Sequence, residues 1–249
     1  MTMVITFNDQ QSDNINFGIQ KIMRVQRPIH SSAISRSIRT PGRRGEWYAG
    51  HDRQGTTIPV QFYFKAASFA QKRQFIRNIA AWLETPDGEL KYLLFSDEPG
   101  VRYRAMQVSE IRADEIAYKG FFEAVFWAPD GYAEAVNETI IALDNGDYEG
   151  TVPTGCVITL TAAAGHGLKV TYKQISQYVE LDLNSLGDSF AGGETVIINT
   201  ETHYVTIDGV DARKYVTVES DYFELRPGEF LLTVEGGSID EIKFREKFL

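Results

Sequence analysis

Only one stretch of this sequence, SFAQKRQFIRNIAAWLETPDG (residues 68–88), repeats its apolar residues at helical spacing. Phe69, Ile76, Ile79, Ala80 and Leu83 fall on one face of a 3.6-residue period. Ser68 and Gln71 stand at capping-box spacing, and Pro86 and Gly88 follow as stop signals. The pattern predicts one helix over about residues 68–84, buried on one side against strands. Nearly everything else reads as β. VITF, INFGIQKIMRVQRPI, TTIPVQFYFKA, LKYLLFSD, VRYRAMQVSEI and FFEAVFWA are β-branched and aromatic runs broken by polar turns. A chain with a single helix and this many short runs is confined to sheet-on-sheet architecture.

The second half tightens that reading. GCVITLTAA, LKVTYKQ, YVELDL, ETVIINT, HYVTID, KYVTVES, YFELRPG and EFLLTVEG follow one another at short, fairly regular intervals, the pattern of an antiparallel sandwich. The closing SIDEIKFREKFL alternates apolar and charged residues, as a last strand with one solvated face does. AAAGHGLKV lacks the third glycine and following helix of a dinucleotide fingerprint and reads as a hairpin turn. Charge marks the boundary. Residues 1–136 hold 17 Lys and Arg against 15 Asp and Glu, whereas residues 137–249 hold 8 against 19, so +2 is followed by −11. With WAPDGYAEAVNE at the junction, two domains are expected, 1–136 and 137–249.

Several functions are excluded by what is missing. The four histidines, His30, His51, His166 and His203, are scattered, and the single cysteine, Cys156, has no partner at zinc spacing. Cys156 reads as a small buried hydrophobe. DLNSLGDSFAGGE fails as a calcium loop, with Leu186 at the fifth position and Gly193 where a bidentate glutamate belongs. No phosphate-binding loop or nucleophile elbow occurs. The expectation is therefore no catalytic residue, no metal and no cofactor, and so no enzyme. No run reaches the ~20 apolar residues of a membrane span. The opening MTMVITFNDQQSDN has no basic flank or apolar centre of a leader, so assembly in a cytoplasm is expected.

RTPGRRGEWYAG (residues 39–50) remains. Three arginines, three glycines, a proline and two adjacent aromatics fall in twelve residues. Strand residues follow it, which argues against a helix-based phosphate cradle, and the acidic second half repels nucleic acid. A solvated hairpin is one reading. The other is a protruding arm whose Arg and aromatic side chains bury into a partner, because those residue types join large area to fixed donors. An exposed Trp–Tyr pair favours the arm. Arg39, Arg43, Arg44, Trp47 and Tyr48 are thus the candidate interface residues.

The blocks RTPGRRGEWYAGHDRQGTTIPVQFYF, FAQKRQFIRNIAAWLETPDGEL, LLFSDEPGVRYRAMQV and GFFEAVFWAPDGYAE occur in this order. GTVPTGCVITLT, YVTIDG and YFELRPGEFLLTV follow. Together they resemble the distal tail proteins of long-tailed, non-contractile bacteriophages, the Dit family. The resemblance implies a mainly β chain of two domains. The first is an N-terminal β-sandwich with one helix that forms a homo-hexameric ring at the distal end of the tail tube, around a channel for DNA. The second is a galectin-like antiparallel sandwich that projects as a docking platform, with IDEIKFREKFL packed back on the first domain. The implied partners are the tail-tube protein, the tail hub or fibre protein and, in some relatives, receptor-binding proteins. DNA is met only in transit, stacking of two rings is left open, and no membrane is entered. The implied location is the virion tail tip, assembled in the bacterial host cytoplasm.

The alternative is a carbohydrate-binding, lectin-like β-sandwich acting in host-surface recognition. Galectin-type sites use a His/Asn/Arg constellation with a stacking tryptophan. The second half has no tryptophan, and His203 stands in THYVTID without those companions. Sugar binding is therefore not carried over, and a protein-docking role is expected for the sandwich.

Overall fold

The computed structural model describes residues 3–249. The chain forms two compact units, one reaching to Val136 and including Leu249, the other Asn137–Phe248.

In the first unit the strands are β1 (Ile5–Phe7), β2 (Gln10–Gln11), β3 (Ile19–Val25), β4 (Ala33–Ile38), β5 (Trp47–Arg53) and β6 (Thr56–Lys65). Helix α1 (Phe69–Leu83) follows, then β7 (Lys91–Phe95), β8 (Val101–Gln107), β9 (Asp114–Ile116), β10 (Lys119–Ala128) and β11 (Ala133–Ala135). Antiparallel pairing runs in the order β2-β1-β7-β8-β10-β6-β3, with β9 also on β10 and β11 on β8. Alternation in TTIPVQFYFK buries Thr56, Ile58, Val60, Phe62 and Phe64, against Phe122, Ala124, Phe126 and Ala128 of β10. The β1 and β10 strands are separated in the sheet by β7 and β8, roughly 14 Å if flat, since neighbouring strands lie about 4.8 Å apart. Yet the rings of Phe7 and Phe126 meet edge-on at 4.9 Å. The sheet therefore curls over, and its two ends face each other across one core.

Helix α1 closes that core. The Ser68 hydroxyl caps it by accepting from the Gln71 backbone N–H at 3.2 Å, while the Gln71 side-chain oxygen Oε1 accepts from the Ala67 backbone N–H at 2.7 Å. The buried stripe is Lys72, Phe75, Ile79, Trp82 and Leu83. Phe69 is instead exposed and packs on Tyr118 at 4.7 Å, Ala80 is exposed, and Ile76 is half-buried. The helix is rotated toward its largest side chain. Trp82 stacks on Phe17 at 4.8 Å and donates its indole N–H to the Phe7 carbonyl at 2.8 Å. Burying an indole requires a partner for its single donor, and strand β1 supplies it. The Lys72 ammonium, also buried, reaches the Ala117 carbonyl at 2.8 Å and the Glu115 carboxylate at 2.6 Å. That donated bond holds the Glu115 carboxyl below the usual range.

The second unit comprises β12 (Thr139–Ile141), β13 (Asn145–Tyr148), β14 (Cys156–Ala162), β15 (Gly167–Tyr172) and β16 (Gln177–Asp182). It continues with β17 (Thr195–Asn199), β18 (Tyr204–Ile207), β19 (Val210–Asp211), β20 (Gly228–Glu235) and β21 (Gly237–Phe244). A six-stranded sheet runs β12-β21-β14-β17-β18-β19 and a four-stranded sheet runs β13-β20-β15-β16. Inward residues of both, such as Ile158, Leu160, Val170, Leu181, Ile198 and Leu232, share one core. Cys156 is buried in it, and burial pushes its thiol up to about 12. The segment 163–166 is not a hairpin turn: β14 and β15 lie in different sheets, so it carries the chain from one layer to the other. KYVTVES and YFELRPG are not regular strands either. They hold a 3-10 turn at Arg213–Tyr215 and two isolated bridges, Leu181 with Val216 and Thr154 with Leu225. The Asp211 carboxylate accepts from the Arg213 backbone N–H at 3.1 Å and pairs with its guanidinium, which fixes a turn where alternation alone reads as strand.

Candidate functional site

The stretch 39–50 lies in a two-stranded hairpin, β4–β5, that pairs with no other strand among the described residues. Every residue from Ser32 to Gln54 is exposed except Gly50, which is half-buried. Registers Ala33–Arg53, Ile34–Asp52 and Ser35–His51 give way to Ser37–Tyr48 and Ile38–Trp47. Arg36 thus faces two residues, Ala49 and Gly50, and Gly50 takes φ +107 to complete the bulge, a conformation open mainly to glycine. Gly42 and Gly45 in the tip also take left-handed values, both φ +81.

Strand alternation sorts the side chains onto two faces. One face carries Ile34, Ile38 and Trp47, exposed by 50%, 59% and 56%. The other carries Ser35, Ser37, Tyr48, His51 and Arg53. On the first face Arg36 pairs with Asp52 at 2.5 Å. The Arg43 guanidinium sits 3.3 Å from the centre of the Trp47 ring, a cation–π contact. On the second face the Tyr48 hydroxyl and His51 Nδ1 are 2.6 Å apart, and Ser37 donates to Glu46. Five arginines stand against Glu46 and Asp52 in the arm, on a chain whose net charge is −9.

The structure therefore joins two of the five candidates, Arg43 and Trp47, and sets Tyr48 on the opposite face. Arg39 and Arg44 lie in the tip with no ion pair among the described residues. Two residues missed in the sequence, Ile34 and Ile38, share the face of Trp47 and flank the Arg36–Asp52 ion pair on it. Their signal was the alternation in AISRSI, where both isoleucines fall on the parity that meets Trp47 across the hairpin.

Elsewhere the geometry offers little chemistry. Among the described residues no group of three or more His, Cys, Asp or Glu is placed to hold a metal ion. In the calcium-like loop, Glu194 accepts from the backbone N–H groups of Ala191 and Gly192, which lowers its pKa and closes the turn. Among the described residues no helix is long and apolar enough to cross a membrane.

The chain matches two family descriptions, "Phage tail protein RIFT-related domain" over residues 11–126 and "Siphovirus-type tail component, C-terminal domain" over residues 149–248. Among solved structures it is similar to the Dit protein of phage SPP1, described as a paradigm of the hub adsorption apparatus in phages infecting Gram-positive bacteria. Sequence identity is 14%, the TM-score is 0.81, and all of both chains is covered. A chain of the phage P2 baseplate in its activated conformation with calcium aligns at 10% identity, over 100% of this chain and 99% of that one, with a TM-score of 0.46. No curated protein matches significantly.

Proposed function

Because the chain belongs to the distal tail protein family of siphophages, we propose that six copies close into a ring at the distal end of the tail tube. As a tail component it is part of the virion, and its role there is structural. The ring joins the tube protein above to the hub or fibre protein below, and receptor-binding proteins attach to the outer sandwich. DNA passes through the central channel. A ring-forming first domain of net charge +2 is close to neutral and suits that passage, since a strongly positive lumen would retain phosphates. Assembly takes place in the bacterial host cytoplasm.

The observation that carries this reading is the arm. A hairpin with Ile34, Ile38 and Trp47 on one face leaves that face in water in the single subunit. Large exposed apolar side chains grouped on one face around an ion pair have the composition of an interaction site. We assign the arm to the contact between neighbouring subunits, where its arginines supply fixed donors and its apolar side chains supply area. Head-to-tail contacts of this kind close into rings. Light scattering after size exclusion, with negative-stain imaging of the peak, tests it. The expected species has about six times the 28.0 kDa chain mass, or twice that, and a central hole. Paired substitution of Arg43 and Arg44 by Ala should weaken the ring. A variant that keeps full-size rings of wild-type stability removes the arm from the interface.

A further inference from the structure

At one end of the second unit, four segments distant in sequence meet around an open cleft of about 340 Å³, lined by Gln177, Glu201, His203, Tyr222, Glu224 and Arg226 among others. The fold supplies His203 with the companions its own strand lacks. Residues 222–226 come from a segment beyond β19 and bring an aromatic ring, a carboxylate and a guanidinium to it.

The cleft is rigid where it matters. The Asn199 side-chain oxygen accepts from the backbone N–H groups of Glu201 and Thr202, both at 3.0 Å, which locks the turn between β17 and β18. Gly155 packs beneath so closely that a Cβ there would lie 2.4 Å from the Cβ of Glu201. His203 is held in the left-handed region at φ +55, and its ring lies parallel to that of Tyr222, 4.5 Å between centres and 12° between planes. One imidazole face is thus fixed against Tyr222, while the exposed residue offers the other to solvent.

The polar groups are open. The Arg226 guanidinium and the Glu224 carboxylate have no partner among the described residues. Glu201 gives one oxygen to the Lys247 ammonium at 2.9 Å and keeps the other free. Gln177 donates its amide N–H to Asp221 at 2.5 Å and keeps its carbonyl oxygen free.

We propose that this cleft binds an uncharged saccharide. Donors and acceptors alternate around a flat ring face, which matches a ligand of dense hydroxyls and an apolar C–H face. The volume lies near the small end of ligand sites, roughly 300–1,000 Å³, and suits a short sugar. Glu201 and Glu224 offset Arg226 and Lys247, so the cleft gives a phosphate or an acidic sugar no net attraction, and the unit's net charge of −11 disfavours both. The cleft belongs to one unit, so the site is complete in a single copy whether or not rings form.

Saturation-transfer NMR on the full chain, with maltose, cellobiose, lactose and diacetylchitobiose at millimolar concentration, tests the assignment. At least one of these is expected to receive transfer, and glucuronate none. Arg226→Ala and Glu224→Gln should each weaken binding about tenfold or more, since each deletes a charge-assisted hydrogen bond. Both side chains are exposed, so an unchanged thermal midpoint reports an intact fold. No transfer to any of the four neutral sugars overturns the proposal. So does transfer that the double variant retains, or glucuronate bound as well as the neutral sugars.

Discussion

Replacing Trp47 by Ala separates the arm's two possible roles, because the indole touches no core. Trp47 is 56% exposed, and the Arg43 guanidinium shields part of the rest. A tryptophan offers about 250 Å² for burial, so docking removes roughly 140 Å² from water. At about 25 cal/mol per Å² this is ~3.5 kcal/mol for each subunit contact. That corresponds to more than two powers of ten in the contact's dissociation constant, at about 1.4 kcal/mol per tenfold. Sedimentation velocity over a dilution series reads it directly: the variant should fall apart at concentrations where the wild type is a ring. The single subunit should be untouched, within about 0.5 kcal/mol, as for other surface substitutions. Identical dilution curves would refute docking of this face. A large drop in the monomer's thermal midpoint would show instead that the arm packs on its own subunit.

Trp82→Ala should destabilise the first unit by ~3–5 kcal/mol, because it opens a cavity and orphans the Phe7 carbonyl, and calorimetry should place the loss in one transition only. Cys156 should resist a thiol reagent in the folded protein and react on denaturation, since its thiol is buried and pushed up to about 12. Glu115 has its folded pKa lowered chiefly by the bond from Lys72. Its contribution is therefore full above the unfolded value of about 4.3 and is lost as pH falls through the lower folded value. Glu115→Gln should flatten that acid limb when the first unit's stability is followed against pH.

Local signals carried the elements well and their partners poorly. Ser68 and the TPDG stop were enough to bound α1, because capping and helix breaking act within a few residues. Its buried face was not legible. Phe69 and Trp82 both belong to periodic stripes, and only packing against Phe7 and Phe17 decides which turns inward. Period-two alternation likewise marked β14 and β15 without saying whether the chain turns back or crosses to the other sheet. KYVTVES alternates as well as any strand, yet the Asp211 side chain bends the chain just before it. The arm was legible as an anomaly, since arginines and aromatics among glycines have no place in a core. Its isoleucines were not, because Ile34 and Ile38 look like ordinary strand residues until the hairpin is seen to lie alone. The companions of His203 were out of reach for the same reason: spacing within one strand says nothing about residues that the sandwich folds beside it.

The three tryptophans all fall in the first unit, and each meets a different environment: Trp82 inside the core, Trp127 partly covered on β10, Trp47 at the end of the free hairpin. The second unit has tyrosines but no indole. Selective excitation of indole consequently watches one half of the molecule and is blind to the other. With Trp127 replaced by Phe, a shift of the emission to shorter wavelength on mixing with a partner would come from Trp47 losing its water. The steady blue component from Trp82 would serve as an internal standard that the fold itself is unchanged.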